Sequence, residues 1–236
     1  MTPRESLGGS DIAKLVEKQM RNWELARAQR LSVPEPDRQE VEDFVTISRE
    51  VGAGGHEVAA ILGERLNWPV FDKEILDAMA GDDALRRQIY HSMDERDIGW
   101  FEEAARAFTQ TGFVKNDYFH SLTRTVLSLA RQGRAVFLGR GADMILPRQA
   151  GVRVRLVAPV DLRVRHFAKL YRMSTEKARE EVSRIDNERA EFFQNQFHIS
   201  SDEPTRWDLT INRERFSAEQ TVELILAVRE KLTTGD

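Results

Sequence analysis

The sequence predicts an α/β fold in which an open parallel sheet carries helices on both faces. Five short segments rich in β-branched and aromatic residues alternate with longer segments whose apolar residues recur at helical spacing. This alternation is typical of a parallel sheet whose crossover connections are helices. Three glycines, Gly52, Gly54 and Gly55, separate the first strand from the helix that follows it. Strand, glycine loop and helix together are the layout of a phosphate-binding loop.

Length and composition limit the classes of protein to consider. The chain has 236 residues, which fits one domain of ordinary size with a small appendage, and its 41% hydrophobic content supports a sizeable core. A net charge of −4 provides no bulk basic surface for nucleic acid. The absence of cysteine excludes disulfides and thiolate metal sites. No signal peptide or membrane-spanning apolar run is recognisable, so we expect a cytoplasmic protein that binds neither nucleic acid nor membranes.

The first predicted element is a helix over residues 10–30, whose one face carries Ile12, Leu15, Val16, Met20 and Trp23. The proline-containing segment SVPEPDRQE follows and is typical of a linker. These features divide the chain into an N-terminal helical arm with its linker, residues 1–40, and a main domain, residues 41–236. The apolar face of the arm is expected to pack on its own domain or on a partner subunit, and the second alternative would give a homodimer.

The main domain begins with the strand of residues 44–48. This run is apolar on both faces up to the loop, which favours a central place in the sheet. Four further strands are predicted at residues 68–72, 135–139, 152–158 and 207–212. Predicted helices cover much of residues 73–132, and then residues 161–172, 174–195 and 217–232.

The glycine loop keeps the features that bind phosphate but lacks two side chains that usually accompany them. Glycines let successive backbone N–H groups point at phosphate oxygens, and the next helix adds the positive end of its dipole. If Gly54 is the last loop glycine, Gly55 takes the place of the usual lysine. His56 then takes the place of the metal-binding hydroxyl, unless the loop follows the Gly-Lys-Gly-Thr variant, in which Glu57 does. Arg49 and His56 flank the loop and are candidates for the missing positive charge.

The predicted phosphate-binding residues are therefore Ser48, Arg49, Gly52, Ala53, Gly54, Gly55, His56 and Glu57. A tight glycine turn that binds nothing is the alternative, since short glycine patterns often arise without function.

The segments ISREVGAGGHEVA, FDKEIL, GRGADMIL, RIDNERAEFF and WDLTINRERFSAEQTVELI, in this order, resemble the cytidylate kinase-like family, divergent relatives of bacterial cytidylate kinases. The resemblance covers roughly residues 44–232. It implies a P-loop NTPase fold of the nucleoside monophosphate kinase type, with five parallel strands in the order 2-3-1-4-5. It also implies a helical acceptor-binding region over residues 73–132 and an arginine-rich lid over residues 161–195.

The resemblance also implies roles for single residues. Arg140 follows the third strand, where the cytidylate kinases carry an arginine that contacts the acceptor, and Arg184 and Arg189 match lid arginines. Arg140, Arg184 and Arg189 are the expected catalytic residues, because phosphoryl transfer needs cations around the transferred group. The expected acceptor-binding residues are Asp72, Lys73, Arg140 and Asp143, and the expected metal ligand is Glu57 or Asp72. The alternatives are ion pairs of these arginines with nearby carboxylates, and Asp72 as a helix cap.

Three functions are compatible with these observations. The first is a kinase-like phosphotransferase that uses ATP or another nucleoside triphosphate with Mg²⁺, with CMP or dCMP as the acceptor that the resemblance implies. The second is a non-catalytic nucleotide-binding module, or pseudokinase. The loss of the lysine, of the hydroxyl and of the aspartate that Gly141 replaces favours it. The third is a phosphotransferase that acts on an unrelated small molecule.

Overall fold

The structure is a computed structural model that describes residues 9–31, 41, 43–82, 84, 117–200 and 202–234. The strands are β1 (Phe44–Arg49), β2 (Val70–Asp72), β3 (Ala135–Leu138), β4 (Val152–Val157) and β5 (Leu209–Asn212). The helices in the described residues are α1 (Gly9–Leu31), α2 (Gly55–Leu66), α3 (Lys73–Gly81), α4 (Asp117–Gln132), α5 (Ala142–Ile145), α6 (Val160–Tyr171), α7 (Thr175–Phe197) and α8 (Ala218–Thr234).

The five strands form one parallel sheet in the order β2-β3-β1-β4-β5. The predicted order and the central position of β1 are confirmed. In the register of the sheet, Ile47 of β1 lies between Leu138 of β3 and Val154 of β4. Because parallel strands end at the same edge, the residues after β1, β2 and β3 lie close together. This edge carries the candidate site.

Apolar side chains cover both faces of the sheet. One face packs Phe71 and Phe137 against helices α1, α3, α4 and α7, and the other packs Val45 and Val154 against α2 and α8. Phe193 and Phe197 near the end of α7 are buried in the first of these clusters. The sheet is therefore a rigid support for the loops at its carboxyl edge.

Helix α1 packs on the main domain. Its residues Val16, Met20 and Trp23 are at most 5% exposed, and the Trp23 indole N–H donates to the carbonyl oxygen of Leu129 in α4 at 3.1 Å. The Val70 amide of β2 donates to the side-chain oxygen of Gln19 at 2.8 Å. Of the two packings expected for the arm, the structure shows the one on the chain's own domain.

The structure differs from the predicted elements mainly at their ends. Strand β2 begins at Val70 and β5 at Leu209, each two residues later than expected. The four-residue helix α5 was not predicted, because a single turn shows no helical periodicity. Most of the predicted acceptor region, residues 83 and 85–116, lies outside the described residues. Among the helices that the structure describes, none is both long and apolar enough to cross a membrane.

Candidate phosphate-binding site

The glycine loop joins the end of β1 to the start of α2. Gly52 and Gly54 have φ angles of 81° and 77°, in the left-handed region that favours glycine. A side chain at Gly52 would also collide with the backbone of Arg163, whose carbonyl carbon would be 2.9 Å from it. Helix α2 has 12 residues and begins at Gly55, so its first-turn amides have no partner within the helix and face the loop. This geometry suits an anion.

The side chain of Arg49 crosses the first turn of α2. Its Cγ would be 2.7 Å from a Cβ placed at Gly55, and its guanidinium lies against Gly139, where any side chain would overlap it. Gly139, with a φ angle of 85°, directly follows β3. The Arg49 side chain therefore has room in this position only because residues 55 and 139 are both glycine.

The positions of Arg49 and Gly55 in the loop pattern explain this packing. In the pattern Gly-x-x-x-x-Gly-Lys, Gly54 as the last glycine places Arg49 at the first glycine and Gly55 at the lysine. The chain has thus exchanged the two residue types: the long cation is on β1, and its carbon chain fills the space that a lysine at position 55 would need. The carbon chain of Arg49 crosses the first turn of α2, and its guanidinium lies beyond that turn, against Gly139.

A second arginine reinforces the positive charge at this point. Arg189 of α7 donates from Nη1 to the carbonyl oxygen of Arg49 at 2.9 Å. Burial, and then the neighbouring Arg189, lower the pKa of Arg49 well below its ordinary value, and burial also lowers the pKa of Arg189. A bound anion would stabilise the charged form of these two half-buried guanidinium groups.

Arg140 is held in place by its own counter-ion. Its Nε donates to Asp77 Oδ1 at 2.7 Å, and Nη2 pairs with Oδ2 of the same carboxylate. Although burial lowers the pKa of Arg140, the hydrogen bonds and charge of Asp77 hold it above its ordinary value. The Tyr118 hydroxyl donates to Asp77 Oδ1 at 2.5 Å. The ion pair with a carboxylate, which was the alternative for Arg140, is therefore present, and its partner is Asp77 of α3.

The helical pair α6 and α7 is attached to the loop by an ion pair between a nearly buried arginine and a half-buried carboxylate. Asp186 of α7 accepts from the Val51 amide at 3.0 Å and from Arg163 Nη1 at 2.5 Å. Arg163 also donates to the carbonyl oxygens of Val51 and Ala158, and it lies 3.3 Å from a carboxylate oxygen of Glu50. The predicted lid region is therefore joined directly to the loop backbone.

Replacing Arg163 with alanine is expected to lower the free energy of unfolding by about 2 kcal/mol, since it removes hydrogen bonds to two carbonyl oxygens and leaves a half-buried carboxylate without its cation. Arg179→Ala is the matched control, because Arg179 forms an ion pair with Asp161 in the same helical pair, but both side chains are more than half exposed. Its cost should stay below about 1 kcal/mol. Chemical denaturation of both variants measures the difference, and equal losses would contradict the structural role of Arg163.

Two acidic residues and one histidine meet beside the loop. His56 of α2, Asp72 at the end of β2 and Glu74 of α3 place one potential metal-binding atom each within 4.8 Å of the others. Glu57 faces another direction, with a carboxylate oxygen 3.6 Å from Arg213 Nη2, because successive helix residues point about 100° apart. Of the two predicted metal ligands, the structure places Asp72 in this cluster and Glu57 outside it.

Other predicted residues have different surroundings. Arg184 is exposed and forms ion pairs with Glu181 and Glu188 of its own helix. Arg184 and Arg189 are five residues apart, which turns them about 140° from each other on a helix. The structure therefore brings Arg189, and not Arg184, to the loop.

The remaining predicted residues make structural contacts within the sheet and helices. Asp143 forms an ion pair with Arg206 at 2.5 Å, and both side chains are at most 8% exposed. Ser48 lies within the sheet, in register with Arg155 of β4. Lys73 is the first residue of α3, and Asp72 caps that helix by accepting from the Ile75 amide at 3.1 Å. The expected cap is confirmed.

Sequence reasoning missed Arg213, which follows β5 directly. Its Nε donates to the carbonyl oxygen of Ala53 at 3.3 Å, and its Nη1 donates to Thr221 Oγ1 at 2.8 Å. A side chain at Gly54 would lie 3.3 Å from Arg213 Nη2. The signal was present in the sequence, because an arginine at the carboxyl end of a parallel strand faces the same edge as the loop.

Comparison with known proteins identifies the family. The sequence model of the cytidylate kinase-like family matches residues 44–215, and the chain belongs to that family. A search of curated proteins found no significant match. Among solved structures, the chain is similar to an uncharacterized protein from Eubacterium ventriosum, with a TM-score of 0.63 and 18% identity over 80% of this chain and 99% of that one.

Two solved kinases are more distant. A shikimate kinase from Bacteroides thetaiotaomicron has a TM-score of 0.45 and 16% identity over 80% of this chain and 98% of its own. A gluconokinase from Sinorhizobium meliloti has a TM-score of 0.43 and 12% identity over 84% of this chain and 99% of its own. At such identities, a structural likeness concerns the fold alone. The assignment to a kinase-like family rests on the family model and not on these two structures.

Proposed function

We propose that the protein is a phosphotransferase of the nucleoside monophosphate kinase type. It moves the γ-phosphoryl group of ATP, or of another nucleoside triphosphate, to a small acceptor in the cytoplasm. The family resemblance suggests CMP or dCMP as the acceptor. The observation that carries the proposal is the path of the Arg49 side chain, which crosses Gly55 and holds its guanidinium against Gly139, because it supplies a cation beside the glycine loop in place of the usual lysine.

The residues at the loop suit the demands of phosphoryl transfer, which are positioning and charge neutralisation rather than covalent chemistry. The amides of the loop and of the first turn of α2 would bind the phosphates of the donor. Arg49 and Arg189 would stabilise the charge of the transferred group in the transition state. Arg140, held by Asp77 through Nε and Nη2, would present its Nη1 group to the acceptor.

Kinases of this type use a divalent cation, ordinarily Mg²⁺, which binds the phosphate oxygens and neutralises their charge. The carboxylate of Asp72 fits this use, because it is buried at the end of β2 and its metal-binding atom lies within 4.8 Å of that of His56 on the loop helix. Glu57 fits less well, since Arg213 already lies beside its carboxylate.

A nucleotide-binding module without catalysis is the second candidate. It is favoured by the contact between Asp186 and the Val51 amide, because a protein carboxylate there occupies one of the backbone donors that the loop could offer to phosphate. The usual lysine and hydroxyl are also absent from the loop. Such a module would bind nucleotide and respond to it without turnover.

One assay separates these functions. Purified protein is incubated with labelled nucleoside triphosphate, alone and with a panel of nucleoside monophosphates and of other small hydroxyl-bearing acceptors. Transfer to a monophosphate is the expected result. Transfer only to another small molecule would support a phosphotransferase with a different acceptor. Binding without turnover would support the nucleotide-binding module.

Replacing Gly54 with valine is expected to weaken nucleotide binding about tenfold or more. Gly54 has a φ angle of 77°, and a non-glycine residue there costs about 1–2 kcal/mol, which the loop would relieve by leaving its binding conformation. Gly81→Val is the matched control, because a side chain at Gly81 meets nothing within 4 Å. Calorimetric titration with nucleotide measures both variants. Unchanged affinity in Gly54→Val would show that the loop is only a turn.

A further inference from the structure

The cluster of His56, Asp72 and Glu74 has the composition of a metal site. Their potential ligand atoms lie within 4.8 Å of one another. Ligands of one ion, bonded at about 2.1 Å, lie at most about 4 Å apart, so a small side-chain rotation would bring the three atoms to binding distance. No second group of three such side chains occurs in the part of the chain that the structure describes.

The three side chains come from elements that the sheet holds together. Asp72 is 1% exposed, and the Ile75 amide fixes one of its carboxylate oxygens. The other oxygen, Oδ2, is buried, as are His56 Nε2 and Glu74 Oε2. Buried ligands on rigid elements lose little conformational entropy when they bind an ion. An exposed group of acidic residues lacks this preorganisation.

The ligand types indicate which ion the cluster would select. Mg²⁺ prefers an octahedral shell of oxygen ligands and usually keeps several waters. Imidazole nitrogen favours first-row transition ions over Mg²⁺, and two carboxylates with one imidazole suit Mn²⁺, Fe²⁺, Co²⁺ or Zn²⁺. His56 occupies the position at which phosphate-loop enzymes carry a hydroxyl ligand to Mg²⁺. The chain has therefore replaced a hard ligand with a softer one at the place where the ion is expected.

The neighbouring arginines affect how strongly such an ion would bind. Glu74 interacts electrostatically with Arg49, Arg140 and Arg189, so it also serves as a counter-ion to them. The same positive charges oppose a bare divalent cation. Phosphate oxygens between the ion and the arginines would remove that repulsion, so a bound anion should strengthen metal binding.

We propose that His56, Asp72 and Glu74 bind a divalent transition ion of the Mn²⁺ type in preference to Mg²⁺. The proposal deepens the proposed function, because the ion would lie beside the phosphate-binding loop. It is nevertheless testable without nucleotide or turnover, since the three ligands belong to the protein alone.

The test is a titration of the tag-free chain with Mn²⁺ alone. Binding is measured as the loss of the free-ion signal in electron paramagnetic resonance. One bound ion per chain is expected, together with a ¹⁴N coupling from imidazole in spin-echo spectra. His56→Ala should remove that coupling, and both His56→Ala and Glu74→Gln should weaken binding about tenfold or more. His166→Ala is the matched control and should bind as the wild type does, because His166 Nδ1 lies 3.2 Å from the Gly52 carbonyl oxygen but outside the cluster. An equal concentration of Mg²⁺ should not displace the bound Mn²⁺.

Three results would overturn the proposal: no Mn²⁺ binding by the wild-type chain at about 1 mM, binding by His56→Ala with unchanged affinity, or equal competition by Mg²⁺. The wild-type ¹⁴N coupling tests the site even if a variant fails to fold, and melting curves in metal-free buffer identify such a variant. Failure of Mn²⁺ binding would leave phosphoryl transfer with Mg²⁺ intact as a hypothesis. Absence of turnover with Mn²⁺ bound would contradict the proposed function but would still support the metal site.

Discussion

Replacing Arg49 with alanine is expected to lower the rate of phosphoryl transfer about 10³-fold. Loss of one preorganised group that stabilises transition-state charge typically costs about 10²–10³-fold, and we propose that Arg49 takes the role of the loop lysine. The fold should persist, because the strand residues Phe44–Ile47 that anchor the loop are untouched. Single-turnover measurement of transfer, with a melting curve for the variant, is the appropriate experiment.

Exchanging the residue types at positions 49 and 55 provides a sharper control. Gly55→Lys alone should be impaired, because the new side chain would overlap Arg49, whose Cγ would be 2.7 Å from the new Cβ. The double variant Arg49→Gly with Gly55→Lys restores the usual loop pattern and removes the overlap. Its activity should exceed that of Arg49→Gly by about tenfold or more, so that the two changes are strongly non-additive. If Arg49→Ala transfers phosphate within threefold of the wild-type rate, Arg49 is not the replacement cation.

The second large effect is expected at α7. Arg189→Ala should lower transfer about 10²-fold, because it removes the guanidinium that donates to the Arg49 carbonyl oxygen and adds charge beside the loop. Arg184→Ala is the matched control: it lies on the same helix, but it is exposed and paired with Glu181 and Glu188. That variant should retain the wild-type rate within about threefold.

Comparing the rates of the Arg189→Ala and Arg184→Ala variants therefore distinguishes the effect of a cation beside the loop from the effect of any positive charge on α7. Steady-state kinetics with the acceptor identified by the panel assay supply the comparison. A fall in kcat with little change in KM for Arg189→Ala would indicate stabilisation of the transition state. Equal effects of the two substitutions, or a larger effect of Arg184→Ala, would contradict the assignment.

The fold was predictable because its signals are local. The run Phe44–Ile47 is apolar on both faces, and the structure buries it at the centre of the sheet. The glycines after it indicated the loop, and Gly52 and Gly54 have the left-handed conformation that only glycine adopts readily. Which strand lies beside which is a long-range property, and the order came from the family resemblance.

The partners of the charged side chains were not predictable in the same way. Arg140 pairs with Asp77, 63 residues earlier in the chain, and only the packing of α3 against the sheet brings the two together. The choice between Arg184 and Arg189 depends on which side of α7 faces the loop, and the arginine pattern alone does not show this. Glu74 was overlooked because an acidic residue in the first turn of a helix is common for reasons of helix polarity.

The contact between α1 and β2 has a consequence for how the molecule avoids self-association. Strand β2 is an outermost strand of the sheet, and such a strand presents backbone groups that can template pairing with another chain. The Gln19 side chain occupies the Val70 amide, and the neighbouring Trp23, 1% exposed, covers apolar surface beside it. Removal of α1 would free the Val70 amide for pairing with another chain and would expose the apolar surface that Val16, Met20 and Trp23 cover. We therefore expect the N-terminal helix to reduce edge-to-edge association of the protein.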